Sequence, residues 1–235
     1  MTATLVGAAL AAIGLAGVAA MQGPKPRGVD PLIPDGYVLV HESDFSDGTL
    51  GLWEPRETSE WNVEETDGEH VLTIVTIGTQ GRIRSPFSYV TLPEPVAADL
   101  VLTFIGRCFT DPSTKGRDLC AFVGWTDPEH YTYVHFAAMS DSLHNAVLRV
   151  DGADRAPLEL LEEPKAKMVD KEEHLIKVER DMTTGIIRGY VDDMSEPCLV
   201  ARDPDPRSGR VGVGSFDDKG SFDDVKLYVK REAAQ

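Results

Sequence analysis

The amino-acid sequence predicts an all-β sandwich. Apolar residues alternate with a period of two through most of the chain from residue 37 onward, in short runs that are rich in β-branched residues. Turn-forming residues separate these runs, as in TDG at 66–68 and DKG at 218–220. Many short strands joined by turns are typical of a sandwich or a barrel.

The predicted strands follow one another along the chain with few interruptions. They are 71–77, 100–105, 119–125, 131–136, 146–150, 175–180, 186–191, 199–201, 211–213 and 225–229. The segment 158–171 has a helical composition, but Pro164 interrupts it, so no more than a short helical turn is expected there. The glycines of 209–214 are not followed by a helical pattern, so they predict a strand with close backbone approach rather than a phosphate loop.

The amino terminus predicts export. Residues 1–20 carry no charge and end in the small residues Val18, Ala19 and Ala20, which is typical of a cleaved signal peptide. A retained membrane anchor is the alternative, because no Lys or Arg precedes the apolar run. Residues 21–36 are rich in Pro and Gly and predict a linker, 37–231 the folded domain and 232–235 a tail. The expected location is periplasmic or extracellular.

The charge balance narrows the choice of partner. The formal net charge is −16, from 39 acidic and 23 basic residues. Binding to nucleic acid or to an anionic membrane needs clustered Lys and Arg, so both partners are disfavoured. Of the three cysteines, Cys108 and Cys120 flank a polar connection and could pair across a hairpin, or all three could be small buried hydrophobes.

The strand predicted at 131–136 has two different faces. Alternation places Tyr131, Tyr133 and His135 on the side opposite Val134, and we expect Arg149 of the next strand to join the tyrosines. Aromatic rings stack on sugar faces, and His, Arg and Asn hydrogen-bond to hydroxyl groups. The pattern therefore predicts a sugar-contacting groove, although an ordinary solvent face with amphipathic tyrosines has the same composition.

The residues His135, Asp141, His144 and Asn145 form the strongest candidate site. A histidine oriented by a carboxylate can act as an acid or a base near neutral pH. The same side chains could instead hydrogen-bond to a sugar, or hold a divalent metal through two imidazoles and a carboxylate. They could also do no more than cap a tight turn. The sequence alone leaves these four interpretations open.

Three segments together carry a family resemblance: HLIKVERD at 174–181, YVDD at 190–193 and GRVGVGSF at 209–216. In this succession the chain resembles the concanavalin A-like lectin/glucanase superfamily, and most of all the bacterial exported domains grouped with 3-keto-disaccharide hydrolases. The resemblance implies a two-sheet antiparallel jelly-roll sandwich that takes an oligosaccharide or polysaccharide on its concave sheet. This superfamily includes binders, hydrolases and inert interaction domains, so all three functions stay open.

The resemblance also has consequences for chemistry. Laminarinase-type members carry an E-x-D-x-E run on one strand, and this sequence has none, which excludes a glucanase of that type. For a binder, Tyr131, Tyr133, Asn145 and Arg149 are the implied ligand contacts. For a hydrolase, His135 or His144 would be the base. The resemblance also implies a structural Ca²⁺ held by Asp44 and Asp224 at the sandwich edge, since hard cations prefer carboxylate oxygens.

Overall fold

The computed structural model describes residues 28–231. The expected signal peptide, the first part of the expected linker and the tail at 232–235 lie outside the described residues. Residues 28–36, the described part of the linker, contain no helix and no strand. No helix within 28–231 is long and apolar enough to cross a membrane.

Strands account for nearly all the regular structure of the described chain, and a single 3-10 turn at Thr58–Glu60 is the exception. The strands are β1 Tyr37–Ser43, β2 Glu54–Pro55, β3 Trp61–Thr66, β4 Glu69–Ile74, β5 Ser88–Thr91, β6 Leu100–Cys108, β7 Asp118–Trp125, β8 His130–Ala137, β9 Ala146–Asp151, β10 Ala156–Pro157, β11 Glu159–Leu160, β12 His174–Arg180, β13 Ile186–Val191, β14 Leu199–Arg202, β15 Arg210–Ser215 and β16 Gly220–Lys230.

The strands form two antiparallel sheets. The first sheet has nine strands in the order β11-β14-β13-β12-β6-β16-β4-β3, and β1 pairs with the free part of β16. The second sheet has seven strands in the order β10-β9-β8-β7-β15-β5-β2. This arrangement confirms the predicted all-β, two-sheet antiparallel sandwich. All ten predicted strands are present, but the one predicted at 71–77 ends at Ile74 and the one predicted at 225–229 begins five residues earlier, at Gly220.

The main core lies between the two sheets. Val134 and Phe136 of β8 belong to the same buried cluster as Phe104 of β6 and Phe222 of β16. The rings of Phe104 and Phe222 lie 5.8 Å apart. Burying a side chain of this size stabilises the fold by about 1.5–3 kcal/mol, so this layer is the main source of stability. Alternation correctly assigned the core side of β8.

A second apolar layer covers the outer face of the second sheet, the face that points away from the first sheet. It contains Phe122, Tyr131, Tyr133 and Leu148 from the strands, and the segment 75–87 adds Ile83. The sequence predicted an open groove here. The segment 75–87 closes this part of the face instead, because the aromatic side chains offer it a large apolar surface to cover.

The glycine-rich strand β15 packs tightly against β5. A Cβ atom added at Gly212 would lie 2.2 Å from the carbonyl oxygen of Val90, and one at Gly214 would lie equally close to that of Ser88. Side chains are therefore excluded at both positions. The predicted close backbone approach is confirmed.

The structure decides two local questions that the sequence left open. The segment 158–171 contains no helical turn and contributes β11, which pairs with β14. Of the two alternatives for the cysteines, the structure has the small buried residues and no bridge, because Cys108 and Cys120 stand on strands of different sheets, one in the inter-sheet core and the other in the outer layer. All three cysteines are free and buried, and burial raises the pKa of the Cys108 thiol to about 11.

Candidate functional site

A polar cavity of about 280 Å³ opens on the outer face of the second sheet, next to the aromatic layer. Its walls come from β7, β8, the residues after β15 and the loops that precede β5, β7, β9 and β10. Its charged and aromatic lining residues are Arg84, Asp118, His135, His144, Arg155, Phe216, Asp217 and Asp218.

His135 stands at the buried side of this cavity. Its side chain is 1% exposed, and its Nδ1 lies 2.7 Å from the carbonyl oxygen of Leu143. A carbonyl oxygen only accepts, so Nδ1 carries the proton and donates it. The other ring nitrogen, Nε2, lies 3.3 Å from Oδ2 of Asp118, but the two groups are not aligned for a hydrogen bond. Neither atom has a hydrogen-bond partner among the described residues.

Asp118, the first residue of β7, is held by its other oxygen. Its Oδ1 accepts hydrogen bonds from the amide of Phe216 at 2.8 Å and the hydroxyl of Ser215 at 3.1 Å. Burial opposes ionisation of this carboxyl, but the facing ring of His135 and these donors outweigh it and lower its pKa. Asp118 therefore enters the cavity as a carboxylate.

Asp217 and Asp218 bring two more carboxyl groups next to Asp118. The amide of Asp118 donates to Oδ2 of Asp218 at 2.8 Å, and the hydroxyl of Thr110 donates to Oδ1. Burial and then the charge of Asp118 raise the pKa of Asp218 to about 6. The same two causes raise the pKa of Asp217, which is more exposed.

The structure brings Asp141 and His144 together in the turn before β9. Oδ2 of Asp141 lies 2.9 Å from Nδ1 of His144, and Oδ1 accepts from the amide of Leu143 at 2.7 Å. Asp141 itself lies behind His144 and does not line the cavity. The rings of His135 and His144 are 5.5 Å apart. Two of the three predicted catalytic side chains therefore face the cavity, and the third orients one of them.

Asn145 has a structural role at the end of this turn. It is 1% exposed, its backbone takes a left-handed φ of 54°, and its side chain donates to the hydroxyl of Ser140 at 3.3 Å. Asn tolerates this conformation better than most residues. It does not line the cavity, so its prediction as a ligand contact is wrong.

Tyr131 and Tyr133 are also not surface contacts. Tyr133 is fully buried and Tyr131 is 4% exposed. The ring of Tyr133 stacks on Phe122 with centroids 5.7 Å apart, and its hydroxyl accepts from Arg155 at 3.3 Å. Neither ring has a free face for a sugar, so the predicted stacking surface is absent from the described residues.

Arg149 points to the other side of the sheet. It stands directly opposite Thr132 in the pairing of β8 with β9, and opposed residues share a face. Its guanidinium donates to the carboxylate of Asp203. The sequence shows the alternation within each strand but not the register between strands, so the grouping of Arg149 with the tyrosines was wrong.

Two arginines and a phenylalanine in the cavity were not predicted. The guanidinium carbon of Arg155 lies 3.8 Å from the ring centroid of Phe216, and that of Arg84 lies 5.4 Å from it. Phe216 ends the GRVGVGSF run that carried the resemblance. The two arginines come from loops about seventy residues apart in the sequence, so no local signal could have assigned them to one site.

The predicted calcium ligands lie elsewhere, on the edge formed by β1 and β16. Asp44 follows β1, and its Oδ1 accepts from the amide of Ser46 at 3.1 Å. Asp224 bonds to the ammonium group of Lys226 at 2.8 Å, and Lys226 also bonds to Glu42 at 3.2 Å. Lys226 therefore offsets part of the negative charge of this edge. A Ca²⁺ ion at this position remains a prediction.

Comparison with solved structures shows a shared fold. Carbohydrate-binding module CBM66 from Bacillus subtilis is 14% identical with a TM-score of 0.51, over 82% of this chain and 94% of the module. Peanut lectin is also 14% identical with a TM-score of 0.51, over 84% of this chain and 99% of the lectin. A cellulose-induced protein, Cip1, is 11% identical with a TM-score of 0.57, over 83% of this chain and 100% of that protein.

These similarities place the chain in the concanavalin A-like fold class, as the resemblance implied. No family model matches the sequence, and no curated protein matches it. At this level of identity the solved structures establish the fold alone. The function has to be argued from the cavity.

Proposed function

We propose that the polar cavity binds a sugar unit of a glycan, so that the protein is an exported carbohydrate-recognition sandwich. The supporting observation is the donor and acceptor set around one small cavity. The guanidinium of Arg84 can donate, while Nε2 of His144 and the carboxylates of Asp217 and Asp218 can accept. A sugar ring carries hydroxyl groups that do both. The partner is expected to be an oligosaccharide or a polysaccharide.

The size and chemistry of the cavity favour one sugar unit over a long chain. Its volume of about 280 Å³ lies just below the range of about 300–1,000 Å³ typical of small-molecule sites. Recognition here relies on hydrogen bonds more than on stacking, because Arg155 already covers a face of the Phe216 ring. Peanut lectin and the carbohydrate-binding module CBM66 share this fold, which supports the proposal of a carbohydrate-binding protein.

A glycan array followed by titration calorimetry tests the proposal, with His144→Ala as the test variant. The loss of one ligand hydrogen bond should weaken binding about three- to tenfold. His130→Ala is the matched control. His130 bonds to Asp127 at 2.8 Å in a turn of the same Asp-x-x-His form, but it does not line the cavity.

Equal losses of glycan affinity in His144→Ala and His130→Ala would contradict the proposal that the cavity is the glycan-binding site. Failure of the wild-type protein to bind any glycan would favour the third alternative, a non-catalytic structural or interaction domain. The export part of the proposal is checked by the intact mass of the secreted protein, which should lack residues 1–20.

A glycoside-processing hydrolase, similar to the 3-keto-disaccharide enzymes, is the second candidate. The pairing of Asp141 with His144 at 2.9 Å favours it, because a carboxylate on Nδ1 makes Nε2 the basic nitrogen. Hydrolysis adds one water molecule across the glycosidic C–O bond. In this candidate, Nε2 of His144 takes a proton from that water and returns it to the leaving oxygen.

A hydrolysis screen on keto- and unmodified disaccharides separates the two candidates. An acid/base enzyme should lose turnover by about 100-fold or more in His144→Ala. A binder should show no turnover in either protein and only the modest loss of affinity described above. Turnover that survives unchanged in His144→Ala would exclude His144 as the base.

A further inference from the structure

The strongest unassigned feature is the positive charge of two arginines in the cavity. Arg84 precedes β5, Arg155 precedes β10, and both line the cavity. The amide of Arg155 donates to the carbonyl oxygen of Arg84 at 3.0 Å, and the amide of Arg84 donates to Oδ1 of Asp154 at 2.7 Å. These backbone bonds hold the two loops against each other, so that both guanidinium groups lie beside the ring of Phe216.

Neither guanidinium group has a carboxylate partner among the described residues. Between residues 56 and 210, every other arginine side chain has a carboxylate oxygen within 4.0 Å or donates to a backbone carbonyl oxygen. Arg84 has neither, and Arg155 has a single acceptor, the hydroxyl of Tyr133 at 3.3 Å. The ring of Phe216 attracts both cations, but it is uncharged and does not neutralise them.

The burial of Arg155 makes the lack of an anionic partner costly. This residue is 8% exposed, and its Nε is buried with no hydrogen-bond partner in the part of the chain that the structure describes. A buried cation destabilises a fold unless an anion or several acceptors surround it. The chain has 39 acidic residues from which such a partner could come. The unpaired guanidinium therefore favours a role in ligand binding over a role in stability.

The carboxylates of the cavity have other partners. Asp118 forms an ion pair with His135 at 3.3 Å, and Asp218 accepts from the amide of Asp118 at 2.8 Å. Asp217 lies beside these two carboxylates and forms no ion pair with another described residue. The cavity therefore offers two unpaired guanidinium groups together with several hydrogen-bond acceptors.

We propose that Arg84 and Arg155 bind the anionic group of an acidic sugar, a carboxylate or a sulfate ester, while His144 and the exposed carboxylates accept from its hydroxyl groups. This inference rests on the proposed function and names the class of sugar. Guanidinium groups form paired hydrogen bonds with the oxygens of carboxylates and of tetrahedral anions. A neutral sugar would leave both positive charges without a partner, so it should bind more weakly.

Calorimetric titration of the full-length mature protein with matched pairs of sugars tests the inference. Methyl glucuronide is compared with methyl glucoside, methyl galacturonide with methyl galactoside, and galactose 6-sulfate with galactose. The members of each pair differ only in the anionic group, and the three pairs separate a carboxylate from a sulfate ester. We expect the best acidic ligand to bind about tenfold or more tightly than its neutral parent.

The variant Arg84→Gln removes one of the two charges. Arg84 is exposed and its backbone bond to Asp154 does not need the side chain, so this variant should fold, which its urea midpoint verifies. It should lose about tenfold in affinity for the acidic sugar and about threefold or less for the neutral parent. Arg82→Gln is the matched control, because Arg82 bonds to Glu129 at 3.0 Å and does not line the cavity.

Equal affinity for an acidic sugar and its neutral parent, or equal losses in Arg84→Gln and Arg82→Gln, would overturn the inference and leave the proposed function standing. Titration with sodium sulfate, followed by the NMR signals of the arginine Nε–H groups, needs no sugar. A shift of the Arg155 signal in a protein that binds no sugar would keep the anion site and lose the proposed function. No shift and no sugar binding would overturn both.

Discussion

The outer face of the second sheet has two halves that differ in what covers them. In the aromatic half, Phe122, Tyr131 and Tyr133 pack under the segment 75–87 and leave no opening. In the polar half, His135 continues the same alternation on β8, but it borders a cavity with three carboxylates. The same face of one strand is therefore core at one end and a candidate site at the other.

The difference shows that the alternation of side chains along a strand predicts which residues share a face of the sheet. It does not predict what covers that face. A side chain two positions further along β8 changes from the centre of an apolar layer to the wall of a polar cavity. The loops that arrive from 75–87 and 152–155 decide which of the two it becomes. Substitutions in each half should therefore have different effects.

The largest expected effect comes from Tyr133→Ala. This ring is fully buried and stacks on Phe122, so its removal should lower the free energy of unfolding by about 3–5 kcal/mol. Urea denaturation monitored by circular dichroism measures the loss. Tyr228→Ala, in which a partly exposed ring is removed from β16, should cost far less. Similar losses in the two variants would mean that the aromatic half is not a core.

A smaller effect is expected from the charge of Asp218. Its pKa of about 6 when folded exceeds its usual value of 3.8. Between these values the folded protein holds more protons than the unfolded chain, so this group lowers stability as pH rises from about 4 to 6. Because solvent screening weakens the effect, the free energy of unfolding should decrease by about 1–2 kcal/mol over this range.

The difference between wild type and Asp218→Asn isolates this contribution. Urea midpoints are measured from pH 4 to 7 with a chelator present. The neutral variant should gain on the wild type as pH rises and keep its advantage above about pH 6. A difference in stability between the two proteins that stays constant from pH 4 to 7 would show that Asp218 is ionised throughout. The neighbouring carboxylates would then not raise its pKa.

The smallest effect compares the two Asp-x-x-His turns at opposite ends of β8. Asp141 accepts from the amide of Leu143 at 2.7 Å, and Asp127 accepts from that of Glu129 at 2.8 Å. Asp141→Ala and Asp127→Ala should each lower the free energy of unfolding by about 1 kcal/mol, because the lost bonds are equivalent. Only Asp141→Ala should also alter glycan binding. Equal binding losses would remove the functional distinction between the turns.

Part of the site could be predicted from the sequence. His135 and His144 were predicted as site residues and both line the cavity, since a histidine on a strand face and an Asp-x-x-His turn are local signals. Asp118, Asp217 and Asp218 were missed, because Asp218 reads as an ordinary turn residue in DKG. Their proximity results from the pairing of β7 with β15, two strands more than eighty residues apart in sequence.

The sequence by itself determined ten of the sixteen strands, the turns between them and the core side of β8. Those properties depend on the period of side-chain direction and on the backbone preferences of Gly, Asp and Asn, which are local. The tertiary structure decided which outward face is covered, where Arg149 points, and which carboxylates meet. Register and loop placement depend on the packing of distant segments, and that packing minimises exposed apolar surface over the whole chain rather than within any one stretch.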